Sequence, residues 1–438
     1  MSIGLPAGKV RWSIVAILFF VTMINYADRA VLSLAAPLLS KDLQIDPLEL
    51  GIVFSAFGWA YVVAQLPGGW LLDRFGAKRV YLAAILLWSG FTALQSTVAL
   101  LTGTAAIIAL FTLRFLVGFC EGPSFPGNAR IVASWFPASE RGTASAIFNS
   151  AQYFATVLFA PIMGWIIGVF GWPEVFLFMG AVGLAAAFIW VRKMHEPRNH
   201  PRLKEAELEL IIAGGAIVDA PTKAADGPPP QPVSETIKML LANRTLLGLY
   251  LGQFSINTLT YFFITWFPVY LVQERGLSIV KAGLFATMPA ICGFVGGLLG
   301  GIWSDWLLKR GHSLTLARKT PIITGMLVSL AILGCNYSDS ELLLLVFMSL
   351  AFFGKGVGAL GWAVLSDVAP RNAAGLSGGI FNMFGNLSSI LTPIAIGLIV
   401  KETGSFDLVL VYVASSAALA AFSFLFLVGK IQRVGSPG

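Results

Sequence analysis

Histidine, cysteine and charged side chains are all scarce in this chain of 438 residues, which has 3 His, 3 Cys and only 12% Asp, Glu, Lys and Arg. Soluble domains are about a quarter charged. Here 57% of the residues are hydrophobic, which excludes a water-soluble fold, because so much apolar sequence must face lipid or itself. Cys120, Cys292 and Cys335 lie in or at the end of apolar stretches without CxxC spacing. That pattern speaks against a disulfide framework and against a metal site. His195, His200 and His312 fall in polar segments, so no imidazole is placed to carry a proton inside an apolar span. No cofactor motif is present, and none is expected.

What the chain does have is long apolar runs, near 12–38, 48–72, 79–100, 104–130, 143–168, 174–192, 244–271, 281–307, 320–336, 342–367, 373–400 and 407–429. Each is at or near the length that crosses about 30 Å of hydrocarbon. The first is too long for the apolar core of a cleavable signal and lacks a small-residue cleavage site, so it is expected to persist as a helix. The net charge of +7 is unevenly spread. Lys41, Arg275, Lys281 and Lys401 fall on one side of the expected membrane, and Arg29, Arg114 and Lys355 fall inside it. All other Lys and Arg lie on the side that holds the termini. This is the positive-inside bias, so both termini are expected in the cytoplasm, and the basic balance reports topology rather than nucleic-acid binding.

Between the sixth and seventh runs the composition changes. Residues 195–204 are polar and basic, 203–212 fit a short interfacial helix, and 220–232, with Gly227-Pro228-Pro229-Pro230, fit an extended linker. The expected fold is therefore an all-α integral membrane protein. A six-helix bundle spans 1–192, a cytoplasmic linker 193–243, and a second six-helix bundle 244–438.

The two halves repeat. Gly68-Gly69, Asp73, Arg74 and the pair Lys78-Arg79 follow the second run. Gly300-Gly301, Asp305 and the pair Lys309-Arg310 follow the eighth. A single copy fits any short charged turn, but two copies at equivalent places point to a shared conformational role. Small residues admit close helix packing, and the aspartate can pair with arginine or with a helix N-terminus.

A charge at bilayer depth costs roughly 2.5–3.5 kcal/mol on insertion scales, so each of Asp28, Arg29, Arg114, Glu121 and Lys355 needs a reason. Asp28 and Arg29 point about 100° apart on a helix and need not pair, while Asn25 shares their face. Arg114 and Glu121 are two turns apart, about 10 Å along one face. Two arginines fit a substrate carboxylate, since a guanidinium donates two parallel hydrogen bonds. Asp28 and Glu121 are then the proton carriers, because burial favours the neutral acid and a nearby arginine the ionised one. The alternative is an Asp–Arg or Glu–Arg pair that only ties helices together.

In the second half Lys355 and Trp362 are again seven apart, echoing Arg114 and Glu121. Asn382 with Asn386, and Asn257 with Tyr261, have helical i, i+4 spacing and fit hydroxyl recognition. Trp362 fits stacking on the C–H face of a polyol. Tyr261 and Trp266 fit packing more readily than recognition.

The chain resembles the major facilitator superfamily over its whole length, through the twelve-run plan and the repeated loop motif. Within it, the chain is similar to the anion:cation symporter family, above all to bacterial D-glucarate/D-galactarate permeases, with D-galactonate transporters as relatives. The likeness is carried by Asn25 to Arg29, Phe54 to Tyr61, Leu113 to Phe115, Glu121 to Pro126, Phe148 to Tyr153, Phe262 to Pro268, Gly354 to Ala363 and Asn382 to Asn386.

The resemblance implies that Asp28 and Glu121 couple protons, and that Arg29, Tyr61, Arg114, Gln152, Trp362 and Asn382 line the substrate cavity. It also implies that galactonate-type relatives carry a neutral residue where this chain has Lys355, and hydroxyls where it has Ala359 and Gly361. A second intramembrane cation is what a sugar acid with a carboxylate at each end requires, so Lys355 is the expected selector; snorkelling or pairing with an acid is the alternative. The expectation is a monomeric, proton-coupled importer of a hexaric acid in a bacterial inner membrane, with no nucleic-acid partner. The alternative is an anion exchanger or an aldonate carrier with structural carboxylates.

Overall fold

The structure, a computed structural model, describes residues 9–218, 233–370 and 373–433, without the side chains of Leu66, Asp73, Val233 and Ala374. The Pro-rich stretch 220–232 and the carboxylate of Asp73 lie outside the described residues.

The described residues form helices throughout, and twelve segments are long and apolar enough to cross a membrane. In the first half these are α1 (Val10–Asp42), α2 (Pro47–Phe75), α3 (Ala77–Leu94), α4 (Gly103–Glu121) with α5 (Ser124–Trp135), α6 (Arg141–Val169) and α7 (Trp172–Lys193). Two short helices follow, α8 (Glu205–Ala213) and α9 (Val233–Ala242). The second half has α10 (Arg244–Tyr261) with α11 (Phe267–Val269), α12 (Ile279–Phe285) with α13 (Thr287–Lys309), and α14 (Leu314–Ser329). It closes with α15 (Glu341–Val357) and α16 (Gly361–Val368), α17 (Ala374–Thr403) and α18 (Asp407–Phe422). The expected runs agree with these to within a few residues, except that several are internally broken.

The breaks have local causes. Between α4 and α5 stand Gly122 and Pro123, and the proline lacks the N–H that a continuing helix needs. Gly354, Gly356 and Gly358 crowd the junction of α15 and α16, and glycine is a poor helix former. Around Pro268 the seventh span widens into π-turns at Phe262–Trp266 and Tyr270–Glu274, a distortion concentrated at functional sites.

With an even number of spans, residues 9 and 433 and the segment between the halves share one end of the bundle, here the terminal end. Residues 193–218 pack on the first half. The buried Glu207 carboxylate accepts from the backbone N–H groups of Val10 and Arg11, both at 3.2 Å, and from Arg11 Nη1 at 3.0 Å. Those N–H groups have no partner within α1, so Glu207 caps that helix from another segment. Glu140 holds the same arginine, Nε to Oε2 at 2.8 Å. Backbone bonds from Ala138 to Gly214 (2.8 Å) and from Ile217 to Ala133 (2.9 Å) complete the attachment. The short helix expected near 203–212 is thus α8, with Ile211 and Glu207 buried rather than facing lipid headgroups.

The halves meet along two seams, α2 against α17 and α6 against α12 and α13. A Cβ on Gly51 would run into the Pro393 carbonyl, and one on Gly397 into the Pro47 carbonyl, so backbone touches backbone. At the end opposite the termini, Lys401 Nζ lies 2.9 Å from Asp46 Oδ2 and Gln273 Nε2 lies 3.5 Å from Ser40 Oγ. Deeper, Asn382 Nδ2 donates to Gln65 Oε1 at 3.0 Å.

Candidate functional site

Helices α1, α2 and α4 bring the first half's charges together. Arg29 Nε donates to Glu121 Oε2 at 2.9 Å and Arg29 Nη2 to Asn25 Oδ1 at 3.0 Å. Glu121 is fully buried and Arg29 is 6% exposed. Asn25 reaches Arg29 because they are one turn apart on α1. Three rings surround the guanidinium carbon of Arg29: Tyr26 at 4.6 Å, Phe57 at 4.7 Å and Tyr61 at 4.9 Å. Such contacts hold a cation in place of water, each worth roughly 0.5–2 kcal/mol.

Arg114 takes a different role from the one its charge suggests. It does not meet a carboxylate: Nη1 donates to the Asp28 backbone carbonyl at 2.9 Å and Nη2 to the Arg29 carbonyl at 2.6 Å. Its guanidinium also lies 5.2 Å from the Phe57 ring, so Phe57 contacts both arginines. Asp28 is fully buried, and neither carboxylate oxygen has a hydrogen-bond partner. The Trp88 indole N–H is close by but completes no hydrogen bond. Asp28 and Arg29 are thus neighbours that do not pair, and Glu121 is the arginine's partner.

The second half supplies a chain of amides. Asn386 Nδ2 donates to Asn382 O at 2.9 Å and to Asn382 Oδ1 at 3.1 Å, and Tyr261 OH donates to Asn386 Oδ1 at 3.3 Å. Asn257 Nδ2 donates to the Gly385 carbonyl at 3.0 Å, and Gln253 Nε2 to Asn257 Oδ1 at 3.1 Å. Trp266 is fully buried and donates to the Pro393 carbonyl at 3.2 Å, a packing role.

Lys355 is 6% exposed and makes no ion pair with any described residue. Its Nζ lies 5.2 Å from the Phe352 ring and 5.7 Å from the ring of Tyr153, which belongs to the first half. It occupies the last turn of α15, the partly negative end of that helix, where a cation is favoured.

The expected sharing of one helix face by Lys355 and Trp362 is corrected. The chain leaves the helix at Gly358–Leu360, so Trp362 begins α16 in a new register, 53% exposed, with its ring edge-on to Phe381 at 4.9 Å. Gln152 is half-buried and donates to the Asn149 carbonyl of its own helix at 3.1 Å. Of the repeated loop motif, Arg74 is exposed and lies 5.3 Å from the Trp70 ring. In the second copy Arg318 bridges Asp305 (3.8 Å) and Asp367 (2.8 Å). Tyr26, Phe57, Gln65, Trp88, Tyr153 and Gln253 were not singled out by sequence. For Phe57 and Gln65 a signal existed, since each lies one turn from Tyr61 on α2.

Twelve membrane-length helices that enclose buried arginines and carboxylates in one half, and a buried lysine with a chain of amides in the other, fit a membrane transporter. The chain belongs to the major facilitator superfamily, whose family model matches residues 18–318. The probable galactarate/D-glucarate transporter of Escherichia coli is 59% identical over 427 residues, 97% of this chain and 95% of that one. Its counterpart in Bacillus subtilis is 58% identical over 436 residues, covering 98% and 95%. The D-galactonate transporter of Escherichia coli O6:H1 is 39% identical over 430 residues, 98% of each. The likeness read from the sequence is borne out. Among solved structures, the D-xylose-proton symporter superposes with a TM-score of 0.72 at 15% identity over 96% of this chain and 98% of that one. A bacterial homologue of the lysosomal transporter Spinster gives 0.69 at 17% identity over 96% and 95%. Both show the fold.

Proposed function

We propose that this chain is a proton-coupled symporter that imports a hexaric acid, D-glucarate or galactarate, across a bacterial inner membrane by alternating access, as a monomer with both termini in the cytoplasm. The observation that carries the reading is the grouping of Arg29, Glu121 and Asp28. It contains a buried ion pair beside a buried carboxylate that no group solvates. A substrate carboxylate has the geometry to take Arg29 from Glu121. Glu121, left without its cation in a dry site, then accepts a proton at the carboxylate oxygen that faced Arg29 Nε. Asp28, which already lacks a partner, is the second acceptor. Lys355 takes the far carboxylate, and Asn382, Asn386, Asn257 and Tyr261 take hydroxyls. The names of the 59% and 58% identical relatives support this substrate class. The halves are joined on both sides of Arg29, by Lys401–Asp46 at the end opposite the termini and by Asn382–Gln65 nearer the terminal end, which supports a site enclosed between them.

The Glu121–Arg29 pair also fits a strut, and with it an exchanger whose carboxylates are structural. Uptake into proteoliposomes with an imposed pH gradient separates the two. A symporter accumulates substrate when the outside is acidic, and Glu121→Gln abolishes accumulation while sparing exchange. Gradient-independent uptake by the unmodified protein sinks the symport reading.

A further inference from the structure

Gln65 lies one turn beyond Tyr61 and two beyond Phe57, on the face of α2 that meets Arg29. Its side chain is half-buried, and its Oε1 accepts from Asn382 Nδ2 across the junction of the halves. Asn382 is otherwise engaged, since its carbonyl and Oδ1 both accept from Asn386, which in turn accepts from Tyr261. The amide chain of the second half therefore ends on Gln65, a residue of the first half. Gln65 Nε2, by contrast, donates to no described residue. An amide has two N–H donors and one acceptor oxygen, so two donors remain for a ligand once Oε1 has taken Asn382. Arg29, one helix away, sets where a carboxylate would sit. The next atoms along a sugar acid are carbinol carbons, each bearing a hydroxyl.

We infer that Gln65 is a substrate-binding residue, whose Nε2 donates to a hydroxyl oxygen of the sugar acid while its Oε1 anchors Asn382. This inference rests on the sugar-acid reading above. The bond to Asn382 fixes the Gln65 rotamer, so the donor is in place before substrate arrives and little side-chain entropy remains to be lost. Because Gln65 acts on a hydroxyl and the arginines on a carboxylate, its contribution separates from theirs. It discriminates polyols from plain diacids, and it has no part in the proton step.

The test compares two ligands of equal charge and chain length on the full chain in detergent or nanodiscs. One is galactarate; the other is hexanedioate, which keeps both carboxylates and has no hydroxyls. Removing one hydrogen bond to a neutral hydroxyl is worth about a tenfold change in Kd. The expected result is that Gln65→Met weakens galactarate about tenfold, leaves hexanedioate unchanged, and leaves the pH dependence of galactarate binding unchanged. Equal weakening of both ligands overturns the inference, since Gln65 would then only hold the halves in register; unchanged galactarate binding overturns it as well. Gln65→Ala serves where Gln65→Met does not fold. Failure of the unmodified protein to bind galactarate strikes the sugar-acid reading itself, and is thereby distinguished from failure of the role given to Gln65.

Discussion

Arg114 reaches Asp28 through the backbone: its Nη1 donates to the Asp28 carbonyl at 2.9 Å, and the carboxylate of the same residue is left without a partner. The guanidinium therefore braces the chain at this point of α1 while the acid stays free to take up a proton. Asp28→Asn breaks no bond that the structure contains. Its thermal stability is expected to stay within about 1 kcal/mol of the unmodified protein, as for an isosteric change that unpairs nothing. Accumulation driven by a pH gradient is expected to be lost. Thermal unfolding and proteoliposome uptake on one preparation check both halves of this expectation.

Glu121→Gln is expected to behave differently. It leaves the Arg29 charge buried without a counter-ion, which costs on the order of 3–5 kcal/mol when one member of a buried pair is removed. A dicarboxylate that binds Arg29 replaces the missing charge. Substrate should thus raise the melting temperature of Glu121→Gln by more than it raises that of the unmodified protein. Equal increments would show that substrate does not reach Arg29.

Lys355→Asn removes a buried cation that makes no ion pair with any described residue. If it meets the distal carboxylate, affinity for an aldarate should fall at least about tenfold, and an aldonate of the same length should gain relative to it. Competition binding with galactarate and galactonate reads the ratio. An unchanged ratio would remove Lys355 from the site.

Glu207→Ala takes the cap from α1 and leaves Glu140 to hold Arg11. The melting temperature should fall, and trypsin should cut at Arg202 and Lys204 sooner than in the unmodified protein. Limited proteolysis followed by mass spectrometry checks the position of the cut.

At the opposite end, burial pushes the Asp46 carboxyl up, but the Glu49 backbone N–H and the Lys401 ammonium outweigh it and hold Asp46 below its ordinary value. A carboxyl lowered in this way contributes fully above the ordinary carboxylate range, near about pH 4, and loses its contribution as pH falls through the lowered value. Closure at this end is therefore expected to be indifferent to pH between about 5 and 8. Lys401→Ala should open it without regard to pH in that window. Asp46→Asn should do the same while keeping the N-cap of α2. Alkylation of a cysteine placed at Ser40 measures the opening.

The plan of the molecule was legible because lipid imposes it. Each span had to be long and apolar, and the three intramembrane cations stood out against that background. Which charge meets which was not legible. The pairing of Arg29 with Glu121, 92 residues away, and the turning of Arg114 to backbone carbonyls depend on how α1, α2 and α4 pack. The seven-residue echo between Arg114–Glu121 and Lys355–Trp362 failed for a local reason: spacing predicts a shared face only while the helix continues, and glycines end α15 before Trp362. Gln65 went unnoticed although it stands one turn from Tyr61, because a single uncharged glutamine in an apolar run draws no attention by itself and its partner lies 317 residues away.

The crossing of α2 and α17 has one further consequence. At Gly51 and Gly397 the two halves present bare backbone to each other, with no side chains interlocked. Over that stretch one smooth surface can roll on another, like a knee, while the bonds Lys401–Asp46 and Asn382–Gln65 on either side of it are the catches that must first release. Methyl groups added at these two glycines would act as shims in that joint, wedging the far door ajar while leaving the charges of the site in place.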